Sequence, residues 1–176
     1  MLSKLFRYAG VLFYYLFLKP LSFRSSCSIC VKLRSLFLKF LFKSVGHNVN
    51  IATGVRFGMG SKISIGDNSG LGENCYIVAM DEVRIGRDVM IVPEVMILTG
   101  NHAFEEPNLI LREQKILTQP VIIGNDCWIG ARAVILPGVS ICDRVIVAAG
   151  AVITKSIVEP GVYGGNPAKK IKGIPV

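Results

Sequence analysis

The stretch that decides the fold is residues 123–153, with the sequence IGNDCW IGARAV ILPGVS ICDRVI VAAGAV I. Every sixth residue in it is a branched aliphatic one, and these anchors are Ile123, Ile129, Ile135, Ile141, Val147 and Ile153. An amphipathic helix repeats its apolar positions about every 3.6 residues and an ordinary strand every second residue, so neither explains this period. The repeat instead predicts a solenoid, in which each hexad forms one short strand and one tight turn.

The same period, in shifted phases, extends back to Val45. The earlier anchors are Val45, Ile51, Phe57 and Ile63, then Ile65, Leu71 and Ile77, then Ile85, Ile91 and Ile97. A glycine often follows the anchor, as at Gly66 and Gly124, and we expect it to let the backbone turn a corner. Three hexads then complete one coil of a triangular prism. The sequence therefore predicts an all-β fold, a parallel β-helix, over residues 45–176.

A long break in phase marks the candidate site. The step from Ile97 to Ile123 is 123 − 97 = 26 residues, which is four hexads plus two, so residues 98–120 leave the coil. This excursion begins with the polar sequence Asn101-His102 and continues to Pro120. Loops that leave a rigid solenoid are where binding and catalytic residues concentrate.

The net positive charge of the chain comes entirely from its first 44 residues. The first acidic residue is Asp67, whereas the chain after residue 44 holds 12 basic and 12 acidic residues, a balance of 12 − 12 = 0. The eight basic residues of this segment alternate with Leu, Phe and Tyr, which favours an anionic membrane surface over nucleic acid as a partner. The apolar run from Tyr8 to Leu18 is shorter than the roughly 20 residues of a spanning helix, and the Lys19-Pro20 pair disfavours a signal peptide.

The second half of this segment has helical periodicity. Over Cys30–Lys43, the residues Lys32, Lys39 and Lys43 fall on one stripe and apolar residues fill the rest, with Arg34 as the exception. Two interpretations stay open. The helix lies in a membrane interface, or it caps the coil and touches no lipid.

The cysteines and histidines are too few for the usual metal sites. Cys27 and Cys30 form a C-x-x-C without a second pair, and the two histidines of the chain cannot supply a three-histidine zinc site. We expect no metal. We expect Cys75, Cys127 and Cys142, which lie within hexads, to be reduced residues of the coil.

Several motifs together resemble the hexapeptide-repeat O-acetyltransferases, close to galactoside and maltose acetyltransferases and to capsular or colanic-acid acetyltransferases. They are the hexads, the Asn101-His102 loop, the segment from Asp126 to Gly130, Pro137-Gly138, Thr154-Lys155 and the segment from Gly165 to Ile171. The resemblance covers residues 45–176. It implies a left-handed β-helix, a homotrimer, and acetyl-CoA bound as co-substrate in a groove between subunits.

The resemblance also implies residue roles. His102 is the expected catalytic base, because a neutral imidazole can take the proton of a hydroxyl that attacks a thioester and return it to the departing thiolate. Glu105, Glu106 or a backbone carbonyl would orient its ring. Asn74 and Asn101 are the expected substrate contacts. The expected acetyl-CoA contacts are Trp128, Ala131, Ala149, Thr154, Lys155, Lys169 and Lys172.

These inferences predict an acetyl-CoA-dependent O-acetyltransferase that acts on a saccharide. The basic, apolar N-terminal segment favours a surface polysaccharide precursor or a lipid-linked sugar as the acceptor. It also favours a cytoplasmic protein that is peripheral on the inner face of the cell membrane, with residues 1–44 at the interface and residues 45–176 as the catalytic domain. The alternative is a non-catalytic, membrane-associated trimeric scaffold of the same fold.

Overall fold

The computed structural model describes residues 2–21 and 28–175, so that Cys27 of the C-x-x-C pair lies outside the described residues. The chain opens with helix α1 (Leu2–Phe13), a π-helical turn (Tyr14–Leu18) and helix α2 (Ser28–Leu38). Short strands follow: β1 (Ser44–Val45), β2 (Asn50–Ile51), β3 (Arg56–Phe57), β4 (Ile63–Ile65), β5 (Gly70–Leu71), β6 (Tyr76–Val78), β7 (Val83–Ile85), β8 (Met90–Ile91), β9 (Met96–Leu98), β10 (Gly100–His102), β11 (Ile116–Thr118), β12 (Val121–Ile123), β13 (Trp128–Ile129), β14 (Val134–Ile135), β15 (Ser140–Ile141), β16 (Val145–Val147), β17 (Val152–Ile153), β18 (Gly161–Gly165) and β19 (Ala168–Lys172). A 3-10 turn (Leu111–Glu113) lies between β10 and β11.

The coil strands stack into three sheets, which are the faces of a prism. Sheet A has the order β1-β4-β7-β12-β15, sheet B the order β2-β5-β8-β13-β16-β18-β19, and sheet C the order β3-β6-β9-β14-β17. Pairing is parallel within these sheets, except that β19 returns antiparallel to β18. Consecutive coil strands enter sheets A, B and C in turn, so three strands complete one coil. The predicted β-helix is confirmed.

The hexad anchors form the core in register. Ile65 pairs with Ile85, Ile85 with Ile123, and Ile123 with Ile141, so that one coil stacks its anchor on the next. These residues are buried, and Ile135 is 0% exposed. Burying an isoleucine or valine side chain contributes roughly 1.5–3 kcal/mol. The apolar residues that recur every six positions are therefore the residues that form the core.

The glycines after the anchors have a different role from the predicted one. The positive φ angles of the corners fall three residues after the anchor, as at Asn68 (φ 56°) and Asp126 (φ 50°). Gly66 itself has no positive φ, but a Cβ there would lie 2.7 Å from the carbonyl carbon of Gly86 in the next coil. Glycine is needed because neighbouring coils approach closely at this position, and the corner is turned two residues later.

The N-terminal segment covers the open end of the coil. Tyr14, Leu38, Leu41 and Phe42 are buried in the same cluster as the first anchors. The hydroxyl of Tyr14 donates to the carbonyl of Val55 at 3.0 Å. The capping interpretation therefore describes the inner side of this segment.

Helix α2 differs in extent from the predicted helix over residues 30–43. It begins at Ser28 and ends at Leu38, because the following residues turn so that Leu41 and Phe42 enter the coil end. Arg34, the exception in the helical pattern, is 2% exposed, and its Nε donates to the carbonyl of Ile51 at 2.8 Å. Among the described residues, no helix is long and apolar enough to cross a membrane.

Candidate active site

The excursion from the coil is an antiparallel hairpin that carries His102. Strand β10 pairs with β11, and the amide of Gln119 donates to the carbonyl of Thr99 at 3.0 Å to close the root. Thr99 is fully buried, and its hydroxyl accepts from the amide of Asp81 and donates to the carbonyl of Val78, both at 2.8 Å. These bonds fix the root of the hairpin to the preceding coil.

A buried glutamine holds the far end of the same hairpin. The side-chain amide of Gln114 donates to the carbonyls of Glu106 at 3.1 Å and Leu109 at 3.2 Å. Its carbonyl oxygen accepts from the backbone amide of Glu106 at 3.2 Å. Gln114 is only 6% exposed, so these bonds form away from water and favour one loop conformation.

His102 and Asn101 line one open cleft of about 270 Å³ beside the corner between sheets C and A. The other lining residues are Phe104, Leu117, Thr118, Gln119 and Pro137. His102 is exposed, and its backbone position is set by pairing with Ile116. The imidazole is therefore accessible to an incoming hydroxyl while its backbone is held in place.

The acidic residues after His102 make other contacts. Glu105 accepts from the backbone amide of Phe104 at 3.0 Å, and the backbone of Glu106 binds Gln114. Within residues 2–21 and 28–175, no hydrogen bond joins the His102 side chain to either glutamate. Their predicted role in orienting the ring has no contact to support it.

Ala131 and Ala149 lie together at the corner between sheets B and C. Ala131 follows β13 and Ala149 follows β16, and the amide of Gly150 donates to the carbonyl of Ala131 at 2.8 Å. The cleft at this corner has a volume of about 470 Å³ and is also lined by Pro93, Glu94, Arg132 and Gly150. Because two of its lining side chains are single methyl groups, a ligand can approach the backbone closely in this cleft.

Asn74 lines a different and larger cleft. This cleft has a volume of about 520 Å³ and lies where the N-terminal segment meets sheet C. Its lining residues are Lys19, Gly54, Arg56, Asn74, Tyr76, Glu94 and Met96. The structure thus separates Asn74 from the cleft of Asn101 and His102.

The remaining predicted residues occupy other positions. Trp128 is on sheet B, half exposed, in a cleft with Met90 and Ile146. Thr154 and Lys155 are exposed and follow β17, one coil beyond the corner that holds Pro137. Lys169 and Lys172 are exposed on β19, whereas the neighbouring Lys170 is paired with Glu159 at 2.7 Å.

The thiols of the coil are poor nucleophiles. Burial raises the pKa of Cys75 and of Cys127 to about 11. A thiol with such a pKa is almost wholly protonated near neutral pH. Cys75 and Cys127 are therefore unsuited to form a covalent intermediate.

The arrangement has counterparts among known proteins. The family described as "Hexapeptide repeat of succinyl-transferase" matches residues 62–91 and 120–155. The galactoside O-acetyltransferase of Escherichia coli K12 is 36% identical over 145 residues, 82% of this chain and 70% of that protein. The chain belongs to the hexapeptide-repeat acetyltransferases.

Two further similarities refine this family assignment. A protein of Escherichia coli K12 named as a lipopolysaccharide biosynthesis O-acetyl transferase, WbbJ, is 34% identical over 137 residues, 72% of this chain and 69% of its own length. A galactoside acetyltransferase solved in complex with coenzyme A has a TM-score of 0.82 and 32% identity, and the match covers 98% of this chain and 82% of that one. The predicted family resemblance is confirmed for this hexapeptide-repeat acetyltransferase.

The sequence patterns do not predict the residues that support the site of this acetyltransferase. Thr99 and Gln114 fix the hairpin, and Lys19 and Arg56 line the cleft of Asn74. The available signal for Thr99 was its position directly after the apolar run Val95–Leu98, where the period of six breaks. No local pattern relates Lys19 to Arg56, because the N-terminal segment must first fold onto the coil.

Proposed function

We propose that this chain transfers the acetyl group of acetyl-CoA to a hydroxyl group of a saccharide, with His102 as the general base. The observation that carries this proposal is the exposed imidazole in an open cleft, on a hairpin held at both its root and its far end. Relatives named as acetyltransferases, one of them solved with coenzyme A, support the reaction class and the donor.

The proposed reaction needs a single proton carrier. The neutral imidazole of His102 takes the acceptor hydroxyl proton while the hydroxyl oxygen attacks the thioester carbonyl carbon. The resulting tetrahedral intermediate collapses, the carbon–sulfur bond breaks, and the protonated imidazole returns its proton to the thiolate. The products are the acetyl ester and CoA, and the imidazole is neutral again. Asn101, which lines the same cleft, is placed to contact the acceptor.

The donor is proposed to lie along the outer face of sheet C. Ala131 and Ala149 are at one edge of this sheet, and Thr154 and Lys155 are at the other. Lys169 and Lys172 provide exposed ammonium groups for the CoA phosphates, and Trp128 lies on the adjoining sheet B. Because the clefts of Ala149 and His102 are at opposite edges of sheet C in one chain, we propose a homotrimer whose copies bring such edges together.

The N-terminal segment supports an acceptor held at a membrane. We define the N-terminal apolar face as the exposed large apolar residues of this segment: Leu5, Phe6, Tyr8, Leu12, Phe13, Leu16, Phe17, Ile29, Leu33, Leu36 and Phe40. Lys32 and Lys39 are exposed in the same segment and complement anionic headgroups. We propose that residues 1–44 dock on the cytoplasmic face of the membrane, where residues 45–176 acetylate a lipid-linked or surface polysaccharide precursor.

The test of His102 uses the second histidine of the chain as its control. We expect His102→Ala to lower acetyl-CoA-dependent thiol release with a glycan panel by about 10²–10⁴-fold, as loss of a general base does. His47→Ala removes an exposed imidazole from the turn between β1 and β2, and should leave the rate of thiol release unchanged. Titration with CoA checks that both variants still bind the donor.

Two outcomes would oppose the proposal. Thiol release by His102→Ala at the rate of the unmodified protein would exclude His102 as the base. Tight CoA binding without thiol release for any glycan would instead favour the non-catalytic trimeric scaffold.

A further inference from the structure

The cleft between the N-terminal segment and sheet C, which we call the Lys19–Arg56 cleft, has a charge that the proposed function does not explain. It is lined by two cations, Lys19 and Arg56, and by one carboxylate, Glu94. Glu94 is already paired, because Arg132 Nε lies 2.5 Å from its carboxylate. Among the described residues, neither Lys19 nor Arg56 forms an ion pair.

Aromatic rings hold both cations in place. The guanidinium of Arg56 lies 4.5 Å from the ring centre of Tyr76, which also lines the cleft. The ammonium of Lys19 lies 5.2 Å from the ring centre of Tyr15. Such contacts restrain a cation without neutralising it, so its hydrogen-bond donors stay available to a ligand.

The backbone of Lys19 is fixed to the coil as well. Its carbonyl accepts from the amide of Gly54 at 3.2 Å and from the hydroxyl of Thr53 at 3.0 Å. A lysine on a loose segment would lose conformational freedom on binding, and this fixed backbone lowers that cost. The cleft is thus preorganised for a negative charge.

We propose that the Lys19–Arg56 cleft binds an anionic group of the acceptor, either a phosphate or a sugar carboxylate. This inference rests on the proposed function and narrows its acceptor class. Asn74 and Tyr76 add an amide and a hydroxyl suited to sugar hydroxyls. A neutral monosaccharide would leave the two cations without a partner.

The chain between the two clefts sets an upper limit on the span that an acceptor must cross within one chain to reach His102. Met96 lines the Lys19–Arg56 cleft, and Asn101 lines the His102 cleft, five residues further along the chain. An extended chain rises about 3.4 Å per residue, so their Cα atoms are at most about 17 Å apart. An acceptor whose anion lies in the first cleft can therefore reach the imidazole of the same chain across at most this span, or the imidazole of a neighbouring copy in the proposed homotrimer.

Binding without acetyl-CoA tests this inference separately from catalysis. The probes are galactose 1-phosphate, galacturonate and galactose, titrated against the full chain and followed by ligand-observed NMR. We expect at least one of the acidic probes to bind about tenfold more tightly than galactose, since hydrogen bonds to charged groups are stronger than neutral ones. The two acids separate a phosphate acceptor from a uronic acid acceptor.

Substitutions locate the binding. Arg56→Gln and Lys19→Gln should each weaken binding of the acidic probe about tenfold, whereas Lys62→Gln, which removes the same charge from an exposed position elsewhere, should not. Glu94→Gln should strengthen binding of the acidic probe, because Glu94 is the one described residue with a carboxylate that lines the cleft. His102→Ala should bind the acid normally even though it fails to release thiol.

Three results would overturn the inference. They are equal binding of galactose and both acids, unchanged acid binding by Arg56→Gln and Lys19→Gln, and displacement of the acid by saturating CoA. The last result would assign the cleft to the donor. None of them depends on whether His102 is the base, so a failure of the proposed function is recognised independently.

Discussion

The glycine after an anchor residue shows what a six-residue pattern can and cannot predict. Its recurrence after the anchors correctly predicts a coil, but the predicted reason for it, corner geometry, is wrong. The residue with positive φ comes later, at positions such as Asn68 and Asp126. A pattern records that glycine is required, whereas the neighbour that requires it belongs to the next coil and is visible only in three dimensions.

Gly66 and Gly58 give a matched test of this explanation. Both follow an anchor residue and neither has positive φ, but a Cβ at Gly58 would meet nothing within 4 Å. We expect Gly66→Ala to lower the free energy of unfolding by about 1–3 kcal/mol, because backbone atoms of Gly86 and Arg87 obstruct the new methyl group. Gly58→Ala should be neutral or slightly stabilising. Denaturant unfolding of both variants decides, and equal midpoints would contradict the close-approach explanation.

Among the elements, the hairpin of β10 and β11 was predicted only in outline. The break in phase correctly indicated that residues 98–120 leave the coil and carry His102. It did not predict strand pairing. Ile116 and Leu117 are adjacent, so they do not show the alternation of apolar and polar residues that indicates a strand, and their partners lie across a long connection. Helix α2 shows the same limit, since its end at Leu38 is set by Leu41 and Phe42 entering the coil.

The hairpin depends on Gln114, which yields a prediction for this element alone. Gln114→Ala removes the side-chain bonds to Glu106 and Leu109 without touching the core. We expect faster amide hydrogen exchange in the hairpin, including at Ala103, whose amide donates to Lys115, and unchanged exchange in the coil. We also expect the rate of thiol release from acetyl-CoA to fall. Glu113→Ala, which changes an exposed neighbour, is the control. Hairpin exchange in Gln114→Ala that is as slow as in the unmodified protein would contradict the role of Gln114.

At the scale of the whole molecule, the N-terminal segment and the coil are predicted to unfold as one unit. Arg34 joins them through its bond to the carbonyl of Ile51 in the coil, and its bond to the carbonyl of Leu21 holds the N-terminal segment together. Arg34→Met leaves these buried or half-buried carbonyls without their donor, so we expect the free energy of unfolding to fall by about 1–3 kcal/mol. A single transition should persist by circular dichroism and by Trp128 fluorescence. Lys32→Met, on the exposed side of α2, should change little, and separate transitions for helix and coil would show that they are independent units.

The N-terminal apolar face is the surface that we predict to bind a membrane. Deleting residues 1–44 would expose the coil end that Tyr14 and Leu38 cover, so surface substitutions are the sharper test. We expect Phe6→Ser with Leu16→Ser to lower flotation with phosphatidylglycerol vesicles at least about tenfold, because each side chain would lose the gain from burial in the interface. Phe104→Ser is the control, since Phe104 is 74% exposed and Phe6 is 73% exposed, but Phe104 lies on the hairpin.

Lys32→Gln with Lys39→Gln should weaken binding to these vesicles and leave the weaker binding to neutral phosphatidylcholine unchanged. Equal flotation of the native chain and the Phe6→Ser, Leu16→Ser variant would leave the N-terminal segment with its capping role alone, and the acceptor would then have to reach His102 from solution.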